Sequence, residues 1–224
     1  MTTTNQCLYH FDKNQCSLEP DYPYHYCILH NTFTKKDKLY KALQKALSQT
    51  GEIHNGYILN DLLVPKEDSI QIKNKKFEDI HIEASLIDRL FVLSSNLNNI
   101  NCLEDNFNHL VLDDLLLNHL NIDKINSYRS NIVSCDIENS IFQQCNFMEG
   151  IINDSSFIKV SFKNCTLDNF KISKSQFIDC NFTNYSFINT TFINCLFEGC
   201  EGLDKIKFRD CFIDKETKKY LNYS

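Results

Sequence analysis

The stretch CNFTNYSFINTTFINCLFEGC, residues 180–200, places a phenylalanine at every fifth position, at Phe182, Phe187, Phe192 and Phe197. An α-helix repeats its buried positions every 3.6 residues and a flat strand repeats them every two, so a period of five predicts neither element. It predicts a very short strand followed by a bend. In such a unit the fifth residue and the residue two places before it both point inward.

The same period extends through most of the chain. Stepping by five from Ile72 to Phe197 gives 26 positions, which we call the centre column, and 25 of them are apolar, whereas the average apolar content of 42% would give about 11. Two places earlier, the pre-centre column is small from Ser130 to Cys200 except at Phe170 and Tyr185. Two places after each centre, the corner column is polar or glycine from Gln144 to Gly199, as expected for bends.

The stretches CNFMEG, VSFKNC, CNFTNYSF and CLFEGC resemble the motif of the pentapeptide-repeat family, and the resemblance covers roughly residues 70 to 213. It implies an all-β solenoid, namely a right-handed quadrilateral β-helix with four pentapeptides per coil. Residues four pentapeptides apart would then stack, so one ladder would hold Phe142, Phe162 and Phe182 and another Phe157, Phe177 and Phe197. About seven coils at about 4.8 Å each predict a prism about 34 Å long.

Beyond Phe197 the period continues at Leu203, Phe208 and Ile213, which predicts a one-residue insertion near residues 199–202. We therefore assign residues 72–213 to the β-helix. The tail, residues 214–224, begins with a candidate helix N-cap at Asp214 and is predicted to form a short cap over the last coil.

The N-terminal residues 1–33 carry Cys7, Cys16, Cys27 and His30 with the spacing C-x8-C-x10-C-x2-H. Three thiolates and one imidazole form a closed four-ligand set of the kind that structural zinc prefers, so we predict a zinc-finger-like module with bound Zn²⁺. His10 or His25 is an alternative to one of these ligands. The other interpretation is that these are ordinary thiols near the N-terminus.

Residues 34–71 are predicted to contain a capping helix and a transition. Thr34 to Ser48 reads as an amphipathic helix with Leu39, Leu43, Ala46 and Leu47 on its apolar face. The opposite face is rich in lysine, which indicates a solvated surface, with contact to nucleic acid as the alternative. Tyr57 and Leu62 fit the centre column by counting, so coiling is expected to begin within this region.

Six cysteines fall in the pre-centre column and Cys102 in the centre column, which predicts small buried thiols rather than a metal or redox cluster. The five glycines form no phosphate-binding loop, and His81, His109 and His119 fall on different sides of the predicted prism. The acidic pairs Glu104-Asp105 and Asp113-Asp114 are expected on the outer surface. These patterns predict that the protein is not an enzyme.

The net charge of −6 argues against a general nucleic-acid-binding protein. Residues 78–123 hold nine acidic residues against one basic residue. Some members of the resembled family that confer quinolone resistance are thought to imitate duplex DNA and to bind a type II topoisomerase, so a topoisomerase such as gyrase is a candidate partner. Over the whole prism, however, the charge is far below the one per about 1.7 Å of duplex DNA.

The sequence contains no run of about 18 apolar residues and no N-terminal secretory signal, so we expect no membrane partner and a cytoplasmic location with reduced thiols. The combined prediction is a non-enzymatic scaffold that presents flat faces to an unknown protein partner. The alternatives are a regulator of a topoisomerase that acts through the acidic coils, and an N-terminal module that contacts nucleic acid.

Overall fold

The computed structural model describes residues 10–11, 14–15, 29, 36–48, 53–64, 68–203, 208–209, 211–215 and 217–218 of the chain. Near the N-terminus, strands β1 (His10–Phe11) and β2 (Asn14–Gln15) form an antiparallel pair. One helix, α1 (Lys36–Ser48), precedes a parallel β-solenoid that accounts for the other 22 strands of the described residues.

The solenoid strands are short, and the longer ones continue around a corner. They are β3 (Ile53–Asn55), β4 (Ile58–Asn60), β5 (Ile70–Lys73), β6 (Lys76–Glu83), β7 (Leu86–Ile87), β8 (Leu90–Leu103), β9 (Asn106–Asn108), β10 (Leu110–Asp123), β11 (Asn126–Val133), β12 (Asp136–Glu138), β13 (Ile141–Gln143), β14 (Asn146–Asn153), β15 (Ser156–Ile158), β16 (Ser161–Lys163), β17 (Thr166–Ser173), β18 (Gln176–Ile178), β19 (Asn181–Thr183), β20 (Ser186–Ile188), β21 (Thr191–Ile193), β22 (Leu196–Glu198), β23 (Phe208–Arg209) and β24 (Phe212–Ile213).

The strands pair with a constant offset of twenty positions through most of the solenoid. Ile137 of β12 pairs with Phe157 of β15, and Phe142 of β13 pairs with Phe162 of β16. Because four centre positions fall within each such step, each coil has four sides of five residues. The predicted right-handed solenoid of about seven coils is confirmed.

The centre column lines the interior, as the sequence predicted. None of its 26 positions is exposed, and the predicted phenylalanine ladders are present. The rings of Phe157, Phe177 and Phe197 stack with centroids 4.9 Å apart, and those of Phe142, Phe162 and Phe182 are 5.2 and 5.1 Å apart. Burial of these rings supplies much of the hydrophobic stabilisation of the fold.

The corner column has left-handed backbone. Every corner position from Asn74 to Asn194 has φ between 45° and 57°, except Arg89, which does not have a positive φ. Left-handed backbone disfavours most side chains and is best tolerated by glycine, asparagine and aspartate. This explains why a chain with only 5 glycines fills so many corners with asparagine and aspartate.

The first coil is longer than the others. Ile53 of β3 pairs with Lys76, and Leu63 forms a bridge with Leu86, so the offset here is twenty-three positions. From Ile70 onward the offset is twenty. The three extra residues fall between Val64 and Ile70, so coiling begins by Ile53, as expected of this region.

The longer first coil changes the column assignment of two residues. Because Leu59 of β4 pairs with the centre residue Ile82, Tyr57 and Leu62 occupy the pre-centre column. The prediction that they lie in the centre column was wrong, since counting by five across residues 65–69 ignored the insertion. Both side chains are nevertheless buried.

The last coil is shorter. Phe192 pairs with Phe208 and Phe197 pairs with Ile213, so the offset falls to sixteen positions. The predicted centre positions Phe208 and Ile213 are therefore confirmed. A one-residue insertion alone would lengthen the coil by one position, so one five-residue side is also skipped. The sequence did not indicate this, because removing a whole side leaves the five-residue period unchanged.

Both ends of the solenoid meet additional chain. In α1 the predicted apolar residues Leu39, Leu43 and Ala46 are buried, and the Tyr40 hydroxyl donates to the carbonyl oxygen of Ser69 at 3.5 Å. The predicted N-cap Thr34 lies outside the described residues. At the other end, the N–H of Thr217 donates to the Asp214 carboxylate at 2.9 Å, as expected for an N-cap.

Candidate interaction surface

The outside of the prism is built from side chains immediately before and after each centre. Asparagines in neighbouring coils form hydrogen-bonded ladders on this surface: Asn121 donates to Asn101 at 3.2 Å, and Asn126 donates to Asn106 at 3.3 Å. The repeat creates these ladders because equivalent residues of successive coils stack at about 4.8 Å. Each ladder leaves side-chain amide groups facing solvent on a flat strip.

The same coils carry the acidic segment. Asp79 accepts a hydrogen bond from Asn99 at 2.5 Å, and Asp88 accepts one from Asn108 at 3.0 Å. At these two places an amide of one coil is stacked on a carboxylate of the coil before it, within the surface of residues 78–123. We call this region the acidic amide surface.

Several of its carboxylates are paired with bases. Glu78 lies 2.6 Å from Lys76, and Glu104 lies 2.8 Å from Lys124. The hydrogen bond with Glu104, followed by its charge, raises the pKa of Lys124. These pairs lower the charge that the surface shows to a partner, so its negative density is less than the sequence count suggests.

The position of Asp105 differs from the one predicted from the sequence. It was expected on the outer surface beside Glu104, but its side chain is fully buried. Asp105 lies three residues after the centre residue Cys102 and therefore occupies a pre-centre position. The five-residue repeat thus predicts an inward side chain at this residue.

The environment of Asp105 raises the pKa of its carboxyl group. Oδ1 accepts a hydrogen bond from the N–H of Ser85 at 2.7 Å, and Oδ2 has no hydrogen-bond partner among the described residues. Burial raises the pKa of Asp105 to about 6, and the hydrogen bond from Ser85 and the nearby His81 oppose the shift. In the equivalent position of other coils a serine hydroxyl accepts the same kind of bond, as Ser155 does from Cys135.

The histidines do not converge. His81 lies 3.3 Å from Glu83 on one side of the prism, whereas His109 and His119 occupy different corners. The shallow groove beside His81 measures about 390 Å³ and is lined by His81, Asn101, Cys102, Leu103, Asn121, Asp123 and Gln143. Burial raises the pKa of the Cys102 thiol, so no activated nucleophile faces this groove from the described residues.

The repeat cysteines are small interior residues, as predicted. Cys135, Cys145, Cys165, Cys180, Cys195 and Cys200 are all buried. Burial raises the pKa of Cys135 to about 11 and that of Cys195 to about 11. Their thiols donate to backbone carbonyl oxygens, as Cys180 does to Phe157 at 3.3 Å.

The predicted zinc ligands Cys7, Cys16, Cys27 and His30 lie outside the described residues. Within the described part of the chain, no three His, Cys, Asp or Glu side chains come close enough together to hold a metal ion. No helix in that part is long and apolar enough to cross a membrane.

Exposed apolar side chains are scattered over the prism. Leu63 and Leu86 form a bridged pair at one end, and Phe212 is exposed at the other. Leu116, Ile141, Ile151 and Ile188 are exposed at separate positions of the repeat. They add apolar contact area to several sides of the prism.

The comparison with solved structures confirms the architecture. QnrB1, described as a plasmid-mediated fluoroquinolone resistance protein, superposes with a TM-score of 0.51 at 10% identity, covering 75% of this chain and 95% of QnrB1. The two proteins share a fold. HetL, a pentapeptide repeat protein involved in heterocyst differentiation regulation in the cyanobacterium Nostoc, matches with a TM-score of 0.24 at 9% identity, covering 77% of this chain and 90% of HetL.

No protein-family model matches the sequence, and no curated protein matches it. At 10% identity the likeness to QnrB1 concerns the fold and not the surface residues. The surface of this chain must therefore be interpreted from its own side chains.

Proposed function

We propose that this protein is a non-enzymatic scaffold that binds a protein partner through the acidic amide surface. The observation that carries the proposal is the layout of polar groups in stacked columns, with no convergent set of acid, base and nucleophile among the described residues. A rigid prism of this kind presents amides and carboxylates at fixed spacing. Such a surface suits a flat or basic protein surface better than a small molecule.

The partner test compares two charge-reversed variants of the full chain. The first carries Asp79→Lys and Asp114→Lys, two exposed corner residues of the acidic amide surface. The control carries Glu138→Lys and Glu198→Lys, exposed residues of later coils. We expect a partner captured by the unmodified chain from its native host to be lost by the first variant and kept by the control. Equal capture by both variants would contradict this location.

A topoisomerase is the second candidate partner. It is favoured by the fold shared with a fluoroquinolone resistance protein and by the acidic residues in the coils that residues 78–123 form. The ion pairs of Glu78 and Glu104 count against close imitation of duplex DNA. Purified protein would inhibit supercoiling by gyrase or protect it from a fluoroquinolone if this candidate were correct, and an unchanged reaction would exclude gyrase.

The ends of the prism are proposed to be closed by α1 and by the tail. The buried apolar face of α1 and the hydrogen bond from Tyr40 to Ser69 support the first closure. For the second, Thr217 is fully buried, and its hydroxyl accepts the N–H of Cys200 at 3.0 Å. Closed ends would prevent strand-to-strand aggregation of the solenoid.

Structural zinc at Cys7, Cys16, Cys27 and His30 remains a proposal that rests on their spacing. Elemental analysis should find about one zinc per chain, abolished by Cys27→Ser or His30→Ala, whereas Cys135→Ser should keep it. A metal-free chain with a protease-resistant N-terminus would contradict it. Salt-sensitive binding of this region to nucleic acid would support the third candidate function instead.

A further inference from the structure

Cysteines stack in adjacent coils at three places in the pre-centre column. The pairs are Cys145 with Cys165, Cys180 with Cys200, and Cys195 with Cys211. All eight cysteines that the structure describes are thiols. Packing does not demand cysteine here, because Ser155 and Ser175 fill the same column and make equivalent hydrogen bonds.

Cys195 and Cys211 have the backbone placement that a disulfide requires. They lie in register between the pairs Phe192 with Phe208 and Leu196 with Phe212, and the N–H of Phe212 donates to the carbonyl oxygen of Cys195 at 2.8 Å. In-register residues on neighbouring strands are about 4.8 Å apart, within the usual Cα separation of a disulfide, about 4.4–6.8 Å.

The two side chains point toward the same interior space. Cys195 donates to the carbonyl oxygen of Ile193 at 3.4 Å, and Cys211 donates to that of Phe192 at 3.4 Å. The two thiols therefore donate to adjacent residues of β21, which places them on the same side of the last two coils.

Exposure distinguishes this pair from the other two. Cys195 is 2% exposed and the cysteines of the other two pairs are at most 1% exposed, whereas Cys211 is partly exposed. Among the described cysteines, only the Cys195–Cys211 pair thus places a partly exposed cysteine next to a buried one. This partial exposure is the route by which we expect an external reagent to reach Cys211.

We propose that Cys211 and Cys195 form a thiol–disulfide exchange site that reversibly cross-links the last two coils. The Cys211 thiolate attacks a low-molecular-weight disulfide, forming a mixed disulfide and releasing one thiol. Cys195 then loses its proton and attacks the Cys211 sulphur, which forms the Cys195–Cys211 bond and releases the second thiol. Two protein thiols are oxidised, and one external disulfide is reduced to two thiols.

The cross-link would hold the shortened last coil against the body of the prism. That coil leads directly to the tail, in which the N–H of Asp214 donates to the carbonyl oxygen of Phe197 at 3.0 Å and the Thr217 hydroxyl accepts the N–H of Cys200 at 3.0 Å. Oxidation is therefore expected to reduce fraying of this end, and reduction would restore it.

The test uses the full folded chain and oxidised glutathione. After incubation, acid quenching and alkylation, peptide mapping should find Cys195 linked to Cys211 while the two buried pairs stay reduced. Amide exchange in residues 208–218 should become several-fold slower, and a reductant should reverse both changes. Cys195→Ser should instead trap glutathione on Cys211, and Cys135→Ser should behave like the unmodified chain.

Any one of several results would overturn the proposal. They are stable glutathione on Cys211 without linkage in the unmodified chain, linkage that appears only after unfolding, and linkage with unchanged amide exchange in residues 208–218. Complete resistance of all thiols in the folded chain would also contradict it.

Discussion

Gly150 and Phe170 share one space in adjacent coils of the pre-centre column. A Cβ atom added to Gly150 would lie 2.5 Å from Cζ of Phe170 and 2.2 Å from the carbonyl oxygen of Ser130. Gly150 does not have the left-handed backbone that would itself favour glycine. The large ring of Phe170, 3% exposed, is thus accommodated because its neighbour has no side chain.

Gly150→Ala is expected to destabilise the protein by at least about 1–3 kcal/mol, because the added methyl group meets both the Phe170 ring and the backbone carbonyl oxygen of Ser130. Phe170→Ala should cost about 3–5 kcal/mol through lost burial. The double variant should be at least about 1 kcal/mol more stable than the sum of the two effects predicts, because the first change fills space vacated by the second. Denaturant unfolding measures all three, and strict additivity would contradict the shared space.

Asp105 makes stability depend on pH. Its pKa is raised by burial to about 6, above the unfolded value of about 3.9, so its favourable contribution is present below about pH 4 and is lost as the pH rises through 6. Asp105→Asn keeps an acceptor for the Ser85 N–H and cannot ionise. We expect this variant to raise Tm by several degrees at pH 7.5 and by much less at pH 4.5.

The control for this prediction is Asp113→Asn, which removes a carboxylate outside the core. It should not reproduce the pH-dependent gain. An equal gain for Asp105→Asn at both pH values would show that the buried carboxyl is not the titrating group.

Ala84 is a corner residue with φ of 52° and no polar side chain to favour this conformation. Ala84→Gly should therefore stabilise the protein by about 1 kcal/mol, since left-handed backbone costs a residue with a Cβ about 1–2 kcal/mol. Ala42→Gly in α1 should have the opposite sign and cost about 1 kcal/mol. Thermal unfolding distinguishes the two, and destabilisation by both would argue against a left-handed corner at Ala84.

Phe177 stacks between Phe157 and Phe197 with both centroid distances at 4.9 Å. Phe177→Ala should cost about 3–5 kcal/mol, because it removes a buried ring and leaves a cavity. Phe212→Ala, at a ring that is 65% exposed, should cost less than about 0.5 kcal/mol. Similar losses for the two variants, measured by urea unfolding, would contradict a continuous phenylalanine ladder.

The tail is expected to stabilise the last coil through Thr217. Thr217→Val keeps the shape of the side chain but removes the acceptor of the Cys200 N–H, so it should cost about 1–3 kcal/mol. Lys218→Ala, at an exposed neighbour, should change the free energy of unfolding by less than about 0.5 kcal/mol. If Thr217→Val had no larger effect than Lys218→Ala, the tail would not be docked.

The repeat could be predicted from the sequence because one apolar column persists for 26 steps. Its corners were equally visible, since asparagine and aspartate mark left-handed backbone. Changes in coil length were not, apart from the one-residue insertion near residues 199–202. The three residues inserted before Ile70 misplaced Tyr57 and Leu62, and the skipped side before Phe208 kept the same period.

The candidate surface was only partly predictable. The acidic segment could be located by counting charges, but a count cannot show that Glu104 reaches Lys124 or that Asp105 points inward. Those facts depend on which residues lie one coil apart on the folded chain. The compensation of Phe170 by Gly150 is likewise visible only once the coils are stacked.

The most direct test of the four-sided coil is a distance between two exposed corners. Glu104 and Asn184 occupy the same corner four coils apart. Spin labels attached there through ketone-bearing unnatural amino acids, which leave the native thiols untouched, should give a narrow distance distribution centred at about 19 Å. A broad distribution, or a mean above about 30 Å, would contradict a solenoid that advances one strand spacing for every four pentapeptides.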